Sequence, residues 1–353
     1  MKNASYFPLV GILSSPGKTE DSFRGNLKVF KAIQKELTKI GGLSFIFTTN
    51  DFNEHDVNGY FYYEHADKWG KRTFPIPDLI YNKISFRKEE SSALFLSLKQ
   101  TFENDGKYFF NPCFFDKWEV YLALVKSTTL NGYLPKTWMF TTINDVLEKL
   151  NTYHSLYVKP VNGHKGQGVY KLSYDGTSYY IHKKNQTINY VQADFVQDTE
   201  KLLMKKPYLL QKEIQTDTID DCKYDLRILC LYEKGVHKII GIGVRKADEN
   251  SIITHVPNGG EIIPFQQVQD RCSEDKLDWL AETVGRQLIE RYGFVGEFSM
   301  DVGITPQGEP ILFEVNSKPM IFDEVDIQTK RIERTVKLFA DLANSTSQNK
   351  KEF

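Results

Sequence analysis

Near the C-terminus, apolar and polar residues alternate along two runs, 297–304 and 311–317, on either side of the turn Pro306-Gln307-Gly308-Glu309. This period of two predicts two strands of a β-hairpin. In the first run the apolar residues share one face, and Glu297, Ser299 and Asp301 take the other. In the second run Ile311, Phe313 and Val315 alternate with Leu312, Glu314 and Asn316.

If the four turn residues form the loop, position 305 pairs with position 310, and Asp301 then stands opposite Glu314 and Ser299 opposite Asn316. Two carboxylates placed directly opposite each other repel, so this face favours a cation. Carboxylate and amide oxygens are the ligands that Mg²⁺ uses alongside substrate phosphates. The alternative is an ordinary solvated face with scattered acids.

The first hundred residues alternate between strand and helix patterns, which predicts a separate small α/β domain with a parallel sheet. Ser22 is expected to cap the first helix, and Asn58-Gly59 is expected to form a hairpin turn. The predicted strands are 6–13, 43–48, 60–63 and 78–84, the predicted helices are 23–40 and 88–102, and 104–112 is a predicted linker.

Lys159 closes a predicted strand, 155–158, and is followed by a loop that contains Gly163, Gly166 and Gly168. Glycines let backbone amides approach an anion closely. The segment after the loop, 169–172, alternates like a strand, whereas a dinucleotide fold or a Walker loop requires a helix there. With Lys159 on the preceding strand, the pattern favours a glycine-rich hairpin that covers a phosphate, and an ordinary turn is the alternative.

Further along the chain, a predicted strand, 208–214, carries Gln211 and Glu213 at alternate positions. Asp225 and Arg227 share a face of the next strand, and Arg245 ends the one after it. An arginine fork matches phosphate or carboxylate oxygens. A salt bridge between Asp225 and Arg227 is the alternative. Helices are predicted at 116–130 and 320–343, and a polar tail at 346–353.

Composition narrows the class of protein. The chain has 353 residues, 41% of them hydrophobic, and a net charge of −1, so it can bury a large core and carries no overall basic charge that would favour nucleic acid or an anionic membrane. Its four cysteines are scattered, which is typical of reduced thiols in a cytoplasmic protein. No segment has the length and apolarity of a membrane span.

The order of these residues resembles the ATP-grasp superfamily over about 113–345. At finer scale the chain resembles the YheC/YheD family of endospore coat-associated ATP-grasp proteins. The segments that carry this resemblance are PDLIYNKI, DKW followed by LPKT, VKPVNGHKGQGV, DLRIL, VPNGG and FEVNSKP.

The resemblance implies an α/β and α+β protein. A pre-ATP-grasp domain, 1–112, would precede a two-lobed ATP-grasp fold with lobes at about 113–213 and 214–345. By position, the implied ATP-binding residues are Lys117, Lys159, Gly163, Gly166, Gly168, Gln211, Lys212, Glu213, Ile214 and Asp225, with 211–214 as the hinge for adenine. Asp301, Glu314 and Asn316 would hold one or two Mg²⁺ ions, with Mn²⁺ as an alternative ion. Arg227 and Arg245 would meet the γ-phosphate and an acyl phosphate.

Three functions follow from the resemblance. The first is an ADP-forming ligase that activates a small-molecule or peptide carboxylate for attack by an amine or a thiol. The second is a small-molecule kinase that uses the same metal ligands, and the third is a coat-associated structural protein that retains ATP binding. Spore coat proteins are implied partners, and the cytoplasm, forespore, mother cell or spore coat is the implied location.

Overall fold

In the computed structural model, which describes residues 6–19, 21–163, 167–183, 186–248 and 260–349, the strands form sheets that follow one another along the chain. We call them the N-terminal, middle and C-terminal sheets. The mixed α/β fold predicted from the sequence is confirmed.

The N-terminal sheet has the strand order β4-β3-β2-β1-β5-β6. Strands β2, β1, β5 and β6 run parallel, as predicted, and β3 and β4 extend the sheet in an antiparallel hairpin. The bounds are β1 Leu9–Leu13, β2 Leu43–Phe47, β3 Asp56–Tyr63, β4 Lys68–Pro75, β5 Leu79–Asn82 and β6 Phe109–Phe110, with helices α1 Leu27–Lys39, α2 Arg87–Glu90 and α3 Ala93–Asn104. This sheet with α1–α3 is the N-terminal domain below.

Local structure in this domain differs from the sequence prediction at two turns. Helix α1 begins at Leu27 because the Asn26 side chain accepts a hydrogen bond from the amide of Val29, so Ser22 is not its cap. Asn58-Gly59 lies inside β3 rather than in a turn. A Cβ on Gly59 would come within 2.3 Å of the Phe45 ring, so this glycine permits close packing across the sheet.

The predicted helix 88–102 and linker 104–112 also differ. The helix is interrupted at residues 91–92, where Ser92 caps α3 by accepting from the amide of Phe95. The predicted linker contains β6, which pairs in parallel with β5 and thereby joins the N-terminal sheet.

The middle sheet is antiparallel and has the order β11-β10-β9-β8-β12-β7. Alternate side chains along β8 are buried in a core that includes residues of the helices, whereas β12 is buried on both faces. The bounds are β7 Thr137–Met139, β8 Ser155–Pro160, β9 Tyr170–Tyr174, β10 Tyr179–Lys183, β11 Gln186–Tyr190 and β12 Tyr208–Lys212. Along the chain, helix α4 Lys117–Leu124 precedes β7, α5 Ile143–Tyr153 connects β7 to β8, and α6 Gln192–Leu203 connects β11 to β12.

The C-terminal sheet has the order β16-β15-β14-β17-β18, with β13 paired to β14. One face packs with α4 and α7 around a core that includes Ile228, Met300 and Val302. The bounds are β13 Thr218–Ile219, β14 Cys222–Glu233, β15 Val236–Lys246, β16 Glu261–Ile263, β17 Glu297–Ile304 and β18 Pro310–Asn316, with helices α7 Glu274–Tyr292 and α8 Val325–Asn349.

Helix α8 joins the C-terminal sheet to the N-terminal domain. Its apolar residues complete one core with β1, β2, β5 and α1; these residues are Val336, Leu338, Phe339, Leu342 and Ala343. The helix continues to Asn349, so residues 346–349, predicted as polar tail, are helical. Within the described part of the chain, no helix is both long and apolar enough to cross a membrane.

A buried ionic cluster fixes the same junction. Glu297, at the start of β17, is 1% exposed, and its carboxylate accepts from Tyr81 Oη at 2.6 Å, Lys83 Nζ at 3.1 Å and Arg331 Nη2 at 2.9 Å. Burial alone would raise the pKa of Glu297, but the charges of Arg331 and Lys83 bring it down to about 2. Glu297 is therefore ionised and links the N-terminal domain, β17 and α8.

Candidate functional site

The hairpin of β17 and β18 places the predicted acidic residues opposite each other. Asp301 pairs with Glu314 and Ser299 with Asn316, which confirms the predicted register at this end. From Val302 onward the pairing shifts by one residue, because a β-bulge follows Asp301. The predicted pairing of positions 305 and 310 is therefore wrong, and Ile304 pairs with Pro310 instead.

The bulge resolves a conflict in the sequence pattern. Strict alternation would put Leu312 on the same face as Glu314, but Leu312 is 3% exposed in the core. The extra residue is Phe313, whose ring centre lies 5.7 Å from Lys159 Nζ. A β-bulge re-aims side chains in this way, so both Phe313 and Glu314 reach the side of the sheet that faces the middle sheet.

Charged residues line up across the C-terminal sheet. Arg227 lies directly opposite Asp301 on β17 and opposite Gly243 on β15, and Asp225 lies opposite Arg245. Burial lowers the pKa of Arg227, while the facing carboxylate of Asp301 opposes that effect. The Nε atom of Arg227 and the Oδ1 atom of Asp301 are buried without a hydrogen-bond partner in the structure. Groups of this kind are costly to leave unpaired unless a ligand meets them.

Lys117 supplies a cation to Glu314. Asp116 caps α4 by accepting from the amides of Trp118 and Glu119, which places Lys117 at the first helical position. The Nζ atom of Lys117 forms an ion pair with Glu314 Oε1. Burial would raise the pKa of Glu314, but Lys117 and Lys159 lower it below its ordinary value. Glu314 is thus an ionised carboxylate at neutral pH.

Lys159 faces this group from the middle sheet. Its Nζ donates to Gln211 Oε1 at 2.6 Å, and Gln211 Nε2 donates to Thr137 Oγ1 at 3.1 Å. Burial lowers the pKa of Lys159 to about 8, and the charges of Glu314, Lys117, Asp301 and Asp225 also act on it. Five residues predicted from widely separated parts of the sequence therefore lie close enough for their charges to interact. They are Lys117, Lys159, Asp225, Asp301 and Glu314.

A narrow cleft, partly open to solvent, lies between the middle and C-terminal sheets. It is bounded by the middle sheet on one side and by α4 and β18 on the other. We call it the central cleft, and its lining residues are Lys117, Val120, Tyr121, Leu124, Leu134, Pro135, Thr137, Lys159, Leu209, Gln211, Leu312, Phe313, Glu314 and Val315.

The segment after β12 contains Glu213, whose two lysine partners the sequence analysis did not predict. Glu213 is held by Lys171 Nζ at 2.7 Å and by Lys223 Nζ at 2.8 Å, and Lys223 also donates to Tyr157 Oη at 3.2 Å. Burial would raise the pKa of Glu213, but the two lysines bring it to about 2. Lys171 is opposite Tyr157 in the β8–β9 ladder, a pairing that no motif indicates.

The backbone of the same segment is tied to the middle sheet. The Lys212 amide donates to the Lys136 carbonyl at 2.9 Å, and the Glu213 amide donates to the Ser155 carbonyl at 3.2 Å. Ile214 follows immediately. These bonds fix the position of the predicted hinge relative to Gln211.

The glycine-rich segment connects β8 to β9 as an antiparallel hairpin, which confirms the predicted strand after the loop. Gly163 donates to the Pro160 carbonyl at 3.3 Å, and Gly168 has a positive φ of 73° that a residue with a side chain rarely adopts. Gly166 lies outside the described residues, as do Val256–Gly259 of the VPNGG motif.

The oxygen set at the β17–β18 hairpin fits a hard divalent cation. No group of three or more His, Cys, Asp or Glu side chains suited to a metal occurs in the described ranges. The predicted ligand set is not a group of that kind, because its third member is the amide of Asn316 beside the carboxylates of Asp301 and Glu314. The orphaned Oδ1 of Asp301 beside ionised Glu314 offers the oxygen chemistry that Mg²⁺ prefers.

The chain is similar to known proteins in both sequence and fold. The chain is 29% identical over 350 residues to endospore coat-associated protein YheD of Bacillus subtilis, covering 92% of this chain and 77% of that protein. The ATP-grasp ligase PsnB, solved with its precursor peptide and AMPPNP, superposes with a TM-score of 0.54 at 14% identity, covering 96% of this chain and 100% of that one.

D-alanyl-alanine synthetase A of Vibrio cholerae gives a TM-score of 0.54 at 13% identity and covers 96% of this chain and 98% of that one. At these identities the superpositions establish the fold. The family model of the YheC/D-like ATP-grasp domain matches residues 106–345. This chain therefore belongs to the YheC/D-like ATP-grasp family.

Proposed function

We propose that this protein is an ATP-dependent, ADP-forming ligase that joins a carboxylate to an amine or a thiol through an acyl phosphate. The observation that carries the proposal is the convergence of Lys117, Lys159, Arg227, Asp301 and Glu314 beside the central cleft. Two lysines and an arginine offset phosphate charge there, and the carboxylates supply metal ligands.

ATP would lie in the central cleft. We assign its phosphates to Lys117 and Lys159, with the glycine-rich hairpin covering them through Gly163, Gly166 and Gly168. The adenine would meet the segment 211–214. Because Lys171 and Lys223 already hold the Glu213 carboxylate, the backbone from Lys212 to Ile214 is better suited to contact the base.

Asp225 and the metal ligands would complete the phosphate site. Asp301, Glu314 and Asn316 would hold Mg²⁺, with Mn²⁺ as an alternative, and the ion would neutralise charge on the phosphate oxygens. Lys117 currently occupies one oxygen of Glu314. We expect the Lys117 ammonium to move to a phosphate oxygen when nucleotide binds, since the triphosphate carries more negative charge than one carboxylate.

The chemistry requires no protein nucleophile. A carboxylate oxygen of the substrate attacks the γ-phosphorus and ADP leaves, which gives the acyl phosphate. The nitrogen of the amine, or the sulfur of a thiol, then attacks the acyl carbon and inorganic phosphate leaves. Arg227 and Arg245 would offset the charge that develops on the transferred phosphoryl oxygens.

The substrates we propose are a small-molecule or peptide carboxylate and an amine or thiol acceptor. The name of the relative YheD associates that protein with the endospore coat. We extend that association to this chain, with coat proteins as partners and the cytoplasm of a sporulating cell as the place of action. A screen of acids and acceptors with Mg²⁺ and ATP, read by ADP release and product mass, tests the proposal.

Saturating ATP with Mg²⁺ is expected to raise the melting temperature by several degrees. Ligand at about one hundred times its dissociation constant adds roughly 2.7 kcal/mol, and about 1 kcal/mol shifts the midpoint of a chain of 353 residues by roughly 1–2 °C. Glu314→Gln should abolish the Mg²⁺-dependent part of the shift and leave the free protein folded. Differential scanning calorimetry checks both, and an unchanged midpoint for the natural protein would refute nucleotide binding.

Lys159→Ala is expected to weaken ATP binding by about tenfold or more, because the ammonium is buried beside the predicted phosphate site and would bond phosphate oxygens there. Isothermal titration calorimetry measures the change. Lys201→Ala is the matched control, since Lys201 is on the same lobe with a side chain 63% exposed. Lys171 is unsuited as a control because it holds Glu213. Equal losses in the two variants would show that the phosphates lie elsewhere.

A further inference from the structure

Lys318 lies two residues beyond the end of β18, and its ammonium is enclosed by the N-terminal domain. Only 8% of its side chain is exposed. Its Nζ donates to Glu90 Oε1 at 2.6 Å, to Asn82 Oδ1 at 3.1 Å and to the Ile84 carbonyl at 3.0 Å. An ammonium has three N–H donors, so these acceptors use all of them and leave none for a substrate.

Glu90 is equally well satisfied on the other side of this ion pair. Its Oε1 also accepts from Asn82 Nδ2 at 2.8 Å, and its Oε2 accepts from the Phe114 amide at 2.6 Å. The Phe114 ring centre lies 4.2 Å from Lys318 Nζ. The pair is buried, fully hydrogen-bonded and covered by an aromatic ring, which makes its geometry rigid.

Asn111 extends the same network to both strands that carry the proposed metal ligands. Its Oδ1 accepts from the amides of Gly296 at 2.9 Å and Glu297 at 3.2 Å, where β17 begins. Its Nδ2 donates to the carbonyl of Ser317, where β18 ends. The backbone carbonyl of Asn111 accepts from Asn82 Nδ2 at 3.0 Å. Asn82 in turn bonds both Glu90 and Lys318, so the network is continuous.

We propose that Lys318 is a positioning residue that fixes the Asn316 end of β18 against the N-terminal domain, so that Glu314 and Asn316 face Asp301 in the geometry that a divalent cation requires. The inference rests on the proposed function, because it concerns the same metal ligands. It adds that the N-terminal domain helps to set metal affinity although none of its residues is among those ligands.

The test is the Mg²⁺ concentration that half-saturates ATP binding, measured by titration calorimetry, in the double variant Lys318→Met/Glu90→Gln. The double change removes both charges, so neither is left buried alone. Loss of a direct hydrogen-bond partner of a metal ligand typically costs about 10–100-fold in metal affinity. Lys318 and Glu90 hold the chain beyond β18 rather than a ligand itself, so we expect a smaller rise in the half-saturating Mg²⁺, of about three- to tenfold. Binding of ATP in EDTA should stay within about twofold, which a general loss of structure would not allow.

The matched control is Lys31→Met/Asp67→Asn, which removes another ion pair that involves the N-terminal domain, one that is exposed and far along the chain from β18. It should leave the half-saturating Mg²⁺ unchanged. If the Lys318 double variant melts without a cooperative transition, Lys318→Arg is measured instead, because it keeps both charges but cannot reproduce the three hydrogen bonds of the ammonium, and a several-fold rise is expected there.

Two failures are distinguishable. If the natural protein binds no ATP at any Mg²⁺ concentration, the proposed function fails, and this inference fails with it. If the natural protein shows Mg²⁺-dependent binding and the folded variant matches it within twofold, the proposed function stands and the positioning role of Lys318 is overturned.

Discussion

Replacing Arg245 with alanine is expected to reduce ADP-forming turnover by about 10²–10³-fold, while the affinity for ATP stays within a few-fold. Arg245 lies on the face of β15 that also carries Gly243, opposite Asp225 and two residue pairs along the ladder from Arg227. A fixed guanidinium there would offset charge that appears as the phosphoryl group moves. Such a contribution is made mainly in the transition state, so it changes kcat more than binding.

Trapping of the intermediate, measured on the natural protein, distinguishes a ligase from a kinase. With the correct acid present, hydroxylamine should intercept the acyl phosphate and give a hydroxamate together with ADP and inorganic phosphate. A stable phosphorylated hydroxyl product without hydroxamate would instead identify a kinase. Arg334→Ala serves as the control, because Arg334 pairs with Glu233 at the surface. If no acid or alcohol in a broad panel releases ADP, the remaining hypothesis is a coat-associated structural protein that retains ATP binding.

Replacing Glu297 with alanine is expected to lower the free energy of unfolding by about 3–5 kcal/mol, since it leaves buried cations without a counter-charge. Arg331 and Lys83 both depend on this carboxylate, and Tyr81 donates its hydroxyl to it. Urea unfolding measures the change. Glu233→Ala is the matched control, because Glu233 pairs β14 with α8 at an exposed position and should cost under about 1 kcal/mol.

The Glu297 contribution also predicts a pH dependence. Its pKa is about 2 in the folded protein against an ordinary value of 4.5, so ionisation stabilises the fold above about pH 4.5. As the pH falls toward 2, the folded protein must accept this proton, and the contribution is lost. The stability difference between the natural protein and Glu297→Gln should therefore narrow over that range. A difference independent of pH would show that the carboxylate is not ionised.

Features that depend only on neighbouring residues of the chain could be predicted from the sequence. The pairing of Asp301 with Glu314 follows from the alternation of β17 and β18, and the hairpin after Lys159 follows from its glycines. The bulge at Phe313 was not predicted, because it depends on Leu312 reaching a core assembled from distant segments.

Contacts between distant segments limited the prediction elsewhere too. Gly59 was mistaken for a turn residue because its reason for being glycine is the Phe45 ring on a neighbouring strand. The partners of Glu213 and Glu297 could not be found from spacing, since they come from other strands, from the segment after β5 and from α8. Periodicity determines which face a residue takes but not which element covers that face.

Helix α8 gives the chain an unusual order of assembly during translation. The N-terminal domain leaves the ribosome first, yet Val336, Phe339 and Leu342 of α8 complete its core and are among the last described residues to be made. Until they emerge, the apolar surface of β1, β5 and α1 that they cover stays open to water and to other nascent chains. Chains interrupted by a premature stop codon before α8 should therefore depend on chaperones and be degraded, even though every strand has been synthesised.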